Sequence, residues 1–306
     1  MPLQTASTKD YLHLHFLVLI WGFTSILGVF VSIPSVELVF YRTLWACVLT
    51  AALLLWRKVP MALPREEILK LTATGVLIAI HWILFFWAAR VSNVSTCLAG
   101  IATSSLWTSL MEPLITKRKF SWFEMLIGLV VMAGLYIIFY YEFDKAVGLL
   151  LGIASAFFAT VFSIMNGKFT TKHHHVVITF YEMAGALVGI ILFLPAYAYF
   201  FAPNQTLSLV PTATDWVCIL LLAGVCTVYA YAAAVDLMKK FSAFSMNLTI
   251  NLEPVYGIIL AFLIFGEKEK MTAGFYIGTM VIIASVFSYP LIDKKLRKRG
   301  LLGRVA

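Results

Sequence analysis

The chain has 306 residues, of which 61% are hydrophobic and only 12% charged, with a mean hydropathy of +0.92. Soluble domains carry about a quarter charged residues, so this composition excludes a soluble globular protein and places the chain in a membrane. The net charge of +8 lies between the apolar blocks and the aromatics lie within them; that excludes a nucleic-acid surface and suits anionic lipid head groups.

A helix rising 1.5 Å per residue crosses a hydrocarbon core of about 30 Å in about 20 residues. Ten apolar blocks of that length follow in order, at 12–32, 36–56, 69–89, 95–116, 122–140, 146–166, 177–201, 215–236, 243–265 and 272–292. They are numbered spans 1 to 10. Each is apolar on every face, without the alternation of barrel strands. Span 1 lacks a basic n-region and a small-residue cleavage site, so it reads as a retained helix and not a signal peptide. The longest connections are RKVPMALPREEI, KFTTKHHH and APNQTLSLVPTATD. None is long enough for a soluble domain, so the chemistry must sit among the spans.

Eighteen of the 23 Lys and Arg fall on the side of the N-terminus, four on the opposite side, and Arg42 lies inside span 2. By the positive-inside rule both termini are expected in the cytoplasm, with 293–306 as a basic cytoplasmic tail and the protein multi-pass in a cell membrane, the bacterial inner membrane. Cys47, Cys97, Cys218 and Cys226 sit in or beside apolar spans with no C-x-x-C spacing, which argues against disulfide or metal roles. The run His173-His174-His175 follows Lys172 in a loop with no carboxylate or cysteine beside it in sequence. It reads as a solvated loop before a metal site. No cofactor is expected.

The chain also repeats itself. Residues 77–140 lie over 227–290 at an offset of 150, so that Ser92, Ser95 and Leu98 fall on Ser242, Ser245 and Leu248. FYRTLWACVLTAALLL at 40–55 lies over FYEMAGALVGIILFLP at 180–195 at an offset of 140, the change falling in loops. Five spans per half is an odd number, so the second half would enter the membrane the other way up. The expected fold is therefore an all-α polytopic membrane protein of ten helices, built as two inverted five-helix repeats, 12–140 and 146–292, around a central cavity.

The sequence resembles the drug/metabolite transporter superfamily in its ten-helix EamA-type branch, from residue 12 to 292. The resemblance rests on LIWGFTSILG at 19–28, FYRTL in span 2, the A-R-V-S-x-x-S entry to span 4 and, above all, NLEPVYGIILAFLIFGEK at 251–268. It departs from the family pattern in the first half, where Thr103 and Ser104 lie opposite Glu253 and Pro254. The resemblance implies a cavity lined by spans 1, 3, 4, 6, 8 and 9, and makes Trp21, Thr24, Tyr229 and Tyr231 candidates for it. It also implies amino acids and related metabolites as substrates, with export as the direction.

Glu253-Pro254 breaks what otherwise reads as membrane-spanning hydrocarbon. Proline removes one helical hydrogen bond, freeing the Ile250 carbonyl, and a carboxylate at that depth costs several kcal/mol unless paired or protonated. Both belong where the helix faces protein or a wet cavity. Glu253 then reads either as a cavity group, with Asn251 beside it in the motif, or as a cap for the break at Pro254. His81 reads equally as a substrate or proton group and as a packing histidine. Thr96, Gly100, Thr103 and Trp107 share one stripe of span 4, which serves either a site or close packing. Arg42 and Glu182 occupy repeat-equivalent places two turns inside opposite faces, where snorkelling structural roles are favoured. Ser92 and Ser242, at equivalent entries to spans 4 and 9, are also read as structural.

With Arg42 as the one intramembrane cation, a phosphate site is disfavoured. Hydroxyls, amides, aromatics and one or two carboxylates suit a small neutral, zwitterionic or amphipathic cationic molecule. The expected function is secondary transport of small neutral or zwitterionic metabolites. A multidrug or cationic-compound exporter, or a channel-like facilitator, is the alternative. No H-E-x-x-H, G-x-S-x-G or P-loop pattern occurs, which argues against an enzyme and against ATP as energy source. The expected partners are a small-molecule substrate, the bilayer and protons as a candidate coupling ion, with no nucleic acid and the oligomeric state open.

Overall fold

The structure is a computed structural model that describes residues 6–298, and its described residues contain helices and no strand. Seven spans begin or run as single α-helices: α1 Thr8–Phe30, α2 Ser35–Trp56, α3 Arg65–Val91, α6 Trp122–Tyr141, α7 Ala146–Phe169, α8 His175–Phe200 and α13 Ala273–Lys298. The other three are interrupted. Span 4 consists of α4 Val94–Ile101 and α5 Ser104–Thr116. Span 8 consists of α9 Ala213–Leu221, a π-helical stretch Leu222–Tyr229 and α10 Ala230–Leu237. Span 9 consists of α11 Ala243–Ile250 and α12 Glu253–Phe265.

All ten expected crossings are present. Eight helical stretches are by length and composition able to cross a membrane; span 4 is cut short by its break and α13 is apolar only over Ala273–Ser285. Helix α13 runs on to Lys298, so part of the expected tail is helical, and 299–306 lie outside the described residues.

Polar residues set where the helices begin. Ser7 and Thr212 each accept from the backbone three residues on, with Asp10 and Asp215 closing the reciprocal half of a capping box. Asn93, Ser121 and Ser242 cap α4, α6 and α11 in the same way. Between caps the helices pack through small residues, as lipid offers no hydrophobic drive for association. A Cβ on Gly100 of α4 would lie 2.8 Å from the Gly152 backbone of α7. One on Gly185 of α8 would lie 2.2 Å from the Thr72 carbonyl of α3. Helix α3 lies between α7 and α8, α6 pairs with α13, and α1 packs on α12. Leu192, Leu263 and Met280 stay exposed, as a lipid-facing exterior requires.

Both ends of the bundle are tied. At the end that holds the N-terminus, Lys240 reaches Asp10 at 2.7 Å, and Arg118 joins Glu112 to Glu124. Burial opposes the charge on Arg118, but the two carboxylates outweigh it and raise its pKa. At the other end, Asp215 accepts from the Ser32 amide and hydroxyl at 2.6 and 2.7 Å. Glu269 caps α4 through the Val94 and Ser95 amides, both at 3.1 Å. Arg90 donates to the carbonyls of Gly28, Val31 and Ile33 at the end of α1.

Candidate functional site

The three interrupted spans meet at mid-bundle. At the break in span 4 there is no proline, Pro113 lying well beyond it in α5; Thr103 donates to the Gly100 carbonyl and Ser104 to that of Ile101, both at 2.7 Å. These hydroxyls compete with the helical ladder and turn the chain at Ala102-Thr103. In span 9 the turn falls at Asn251-Leu252, so Pro254 sits in the first turn of α12, where its missing N–H is no loss. It is a helix start, just after the break at Asn251-Leu252. The two breaks bond to each other: Asn251 donates to Ser105 Oγ at 3.0 Å and Asn247 to Thr108 Oγ1 at 2.9 Å. In span 8 the wider π-helical turns expose the Cys226 carbonyl to the Trp21 indole N–H at 3.2 Å. Thr227 there donates to the Leu222 carbonyl and accepts from Arg42 Nε at 3.0 Å.

A cavity of about 90 Å³ lies among these breaks. Trp21, Thr24, His81, Tyr231 and Glu253, all expected there from sequence, line it. Ser104, Ile250 and Asn247 bring the broken spans to its wall, and Trp82, Phe85 and Phe162 supply an aromatic side. Ile250 carries the carbonyl that Pro254 cannot serve.

Arg42 corrects the sequence reading. It does not snorkel: it is 2% exposed, lines the cavity, and lies over the face of Trp82 with its guanidinium carbon 3.7 Å from the ring centroid. Its Nη1 is buried with no hydrogen-bond partner, as are Thr24 Oγ1 and Ser163 Oγ on the same wall. Glu253, 6% exposed at the start of α12, feels the charge of Arg42 but forms no ion pair with it. The cavity thus holds a guanidinium and a carboxyl group, separately.

His81 serves both readings: Nδ1 lies 3.0 Å from the Ser155 carbonyl and 2.7 Å from its hydroxyl, and the ring edge reaches the cavity. Glu182 does not snorkel either. It is fully buried and accepts from the Tyr231 hydroxyl at 2.9 Å, and Tyr231 accepts from Asn166 Nδ2 at 2.6 Å.

Four expected cavity residues lie elsewhere. Tyr229 is exposed, its hydroxyl 3.2 Å from His13 Nε2, because two residues along a helix it points to the side opposite Tyr231. Trp107 packs edge-on against Phe157. Thr103 and Asn251 are consumed in the breaks, as described. Ser92 donates to the Ala88 carbonyl at 2.8 Å where α3 ends, and Ser242 caps α11. The histidine run does find carboxylates, distant in sequence: His173 lies 3.0 Å from Glu67 and His175 3.1 Å from Asp236. Among the described residues no cluster of metal-binding size occurs. Sequence reasoning missed Trp82, Ser163, Asn166 and Asn247. The amides in spans 6 and 9 were a readable signal, since a buried amide in lipid needs a partner.

A polytopic helical bundle whose interrupted helices converge on a cavity lined by aromatic and a few polar side chains has the architecture of a membrane transporter. The chain belongs to the EamA-like transporter family, which matches residues 11–140 and 146–289. It is similar to an uncharacterized transporter of Archaeoglobus fulgidus, 24% identical over 92% of this chain and 97% of that one. It is also similar to the protein RarD of Salmonella typhi, 21% identical over 86% of this chain and 90% of that one. A solved crystal structure superposes with a TM-score of 0.70 at 15% identity, covering 94% of this chain and 100% of the other, a likeness of fold.

Proposed function

We propose that the protein is a secondary carrier that moves small zwitterionic or neutral metabolites of amino-acid size by alternating access, most naturally outward. The reading rests on one observation: the Arg42 guanidinium and the Glu253 carboxyl group line one cavity without pairing with each other. A zwitterion meets both, its carboxylate at the free Nη1 and its ammonium at Glu253. Among the described residues Arg42 is the one Lys or Arg at the cavity wall, too little positive charge for a phosphate group. An apolar cavity of about 150 Å³ accepts benzene, and this one is about 90 Å³ with both bundle ends tied. Substrate entry therefore requires helices to part, and this supports a carrier over a passive channel.

Two inverted repeats, 12–140 and 146–292, supply the moving bodies in this reading. The interruptions of spans 4 and 9, at Ala102-Thr103 and Asn251-Leu252, stand 149 residues apart, within one residue of the offset of the sequence repeat. Both termini lie in the cytoplasm of a bacterial inner membrane, on the strength of the basic loops.

The test is reconstitution in proteoliposomes with a panel of labelled neutral amino acids, a cationic dye and a sugar phosphate. Saturable uptake with one-for-one counterflow of an amino acid is expected. Saturable transport of the sugar phosphate alone, or flux without counterflow, would overturn the substrate class or the carrier mechanism respectively.

A further inference from the structure

Behind Tyr231, one residue removed from the cavity, three helices meet at a cluster of polar groups whose hydrogen bonds do not balance. Asn166 of α7 and Glu182 of α8 are fully buried, and Tyr231 of α10 is 7% exposed. Asn166 Nδ2 donates to the Tyr231 oxygen at 2.6 Å, and the Tyr231 hydroxyl donates to Glu182 Oε2 at 2.9 Å. Two acceptors are left over. Glu182 Oε1 and Asn166 Oδ1 are both buried without a donor. A carboxylate offers acceptors only, and no Lys, Arg or His acts on this one: the groups that do are Tyr231 and Asn166. Helix α3 meets Glu182 with Gly75, and the cation of α2, Arg42, faces the cavity instead.

One hydrogen atom resolves the deficit. A proton on Oε1 turns the carboxylate into a carboxylic acid, supplies the missing donor, and removes a buried charge that no cation offsets. We propose that Glu182, with Asn166 and Tyr231, is the coupling-proton site of the transporter, distinct from the charges that receive the substrate. This rests on the carrier reading above.

The site also has a means of coupling. The Glu182–Tyr231 bond holds α8 against α10, about two turns from the end at which His175 pairs with Asp236. Releasing the proton to water leaves a carboxylate and needs no other reactant. The carboxylate requires hydration, which enters where α8 and α10 part at that end. Rebinding a proton restores the dry, closed contact. Tyr231 shares the cavity wall, so substrate and proton act on one side chain.

The experiment has two arms on the full chain. Infrared difference spectroscopy of detergent-solubilised protein in H2O and D2O reads the carboxylic C=O stretch at neutral pH, with no substrate needed. The Glu182 component of the band is expected in wild type and in Glu253→Gln, shifted in Tyr231→Phe, and missing in Glu182→Gln. In proteoliposomes, the ratio of pH-gradient-driven accumulation to counterflow of the same labelled amino acid should fall about tenfold or more in Glu182→Gln. Glutamine keeps the volume, and its amide supplies the donor that the proton supplied. A band lost in Glu253→Gln and kept in Glu182→Gln would overturn the assignment, as would a sodium-dependent and pH-independent accumulation, or an unchanged ratio. If wild type shows no counterflow at all, the carrier reading fails, and the infrared band still decides whether Glu182 holds a proton.

Discussion

The side-chain amide of Asn251 donates a 3.0 Å hydrogen bond to the hydroxyl of Ser105, joining span 9 to span 4 at the places where both leave α-helical geometry. Each break exposes backbone that lipid cannot solvate. Set face to face, the two satisfy each other and leave polar groups for the cavity. Asn247 and Thr108 repeat the contact one turn away, at 2.9 Å.

This contact yields a stability prediction. Asn251→Ala strands the Ser105 hydroxyl in a dry interior and should cost about 0.5–2 kcal/mol, read as a lower melting temperature in detergent. Asn251→Asp, which lacks the donor, should lose as much. A melting temperature unchanged in both variants would show that the two spans are held by packing alone.

Glu253 separates two roles. It forms no ion pair and its carboxylate faces the cavity, so Glu253→Gln should fold normally and transport zwitterions poorly, with an altered dependence of initial rate on pH. If the residue only begins α12, glutamine should preserve transport, while Glu253→Leu should lower the melting temperature. Initial rates against pH, beside melting curves for both variants, decide between them.

Arg42 should not tolerate lysine. The guanidinium placed over Trp82, its Nε bond to Thr227 and its free Nη1 depend on a planar fork that an ammonium lacks. Arg42→Lys should raise KM for an amino acid substrate by about tenfold, equivalent to about 1.4 kcal/mol. A wild-type KM in that variant would assign Arg42 to structure.

Topology is checked by labelling. In a cysteine-free background, a cysteine at the exposed Asn204 should react with an impermeant thiol reagent in intact cells, and one at the exposed Lys119 only after permeabilisation. Equal reaction at both positions in intact cells would refute the cytoplasmic placement of the termini.

Much of this was legible in the chain. Ten blocks of about 20 apolar residues specify ten crossings because length and hydropathy are local quantities that the bilayer reads directly. The structural role of Ser242 at the entry to span 9 was legible too, and it caps α11 through the Ser245 amide three residues on. Glu253 marked a cavity-facing helix for the same reason, since a carboxylate in lipid has few places to be.

What the tertiary structure decided was which polar groups meet. Span 4 breaks at Thr103 without a proline because hydroxyls there find carbonyls and a partner helix, and a strip of Ser and Thr in sequence does not show that. The π-helical turns of span 8 carry no sequence mark, yet the Cys226 carbonyl there receives the Trp21 indole; helical spacing puts Tyr229 and Tyr231 on opposite sides, and only packing decides that Tyr231 is the inner one. Arg42 looked like a snorkelling residue by its depth, and became a cavity cation because Trp82, 40 residues on, and Thr227, 185 residues on, receive it. Composition and period set each helix in the membrane through its own residues. The cavity depends on contacts between residues far apart in sequence, where desolvation leaves each buried polar atom dependent on one particular partner.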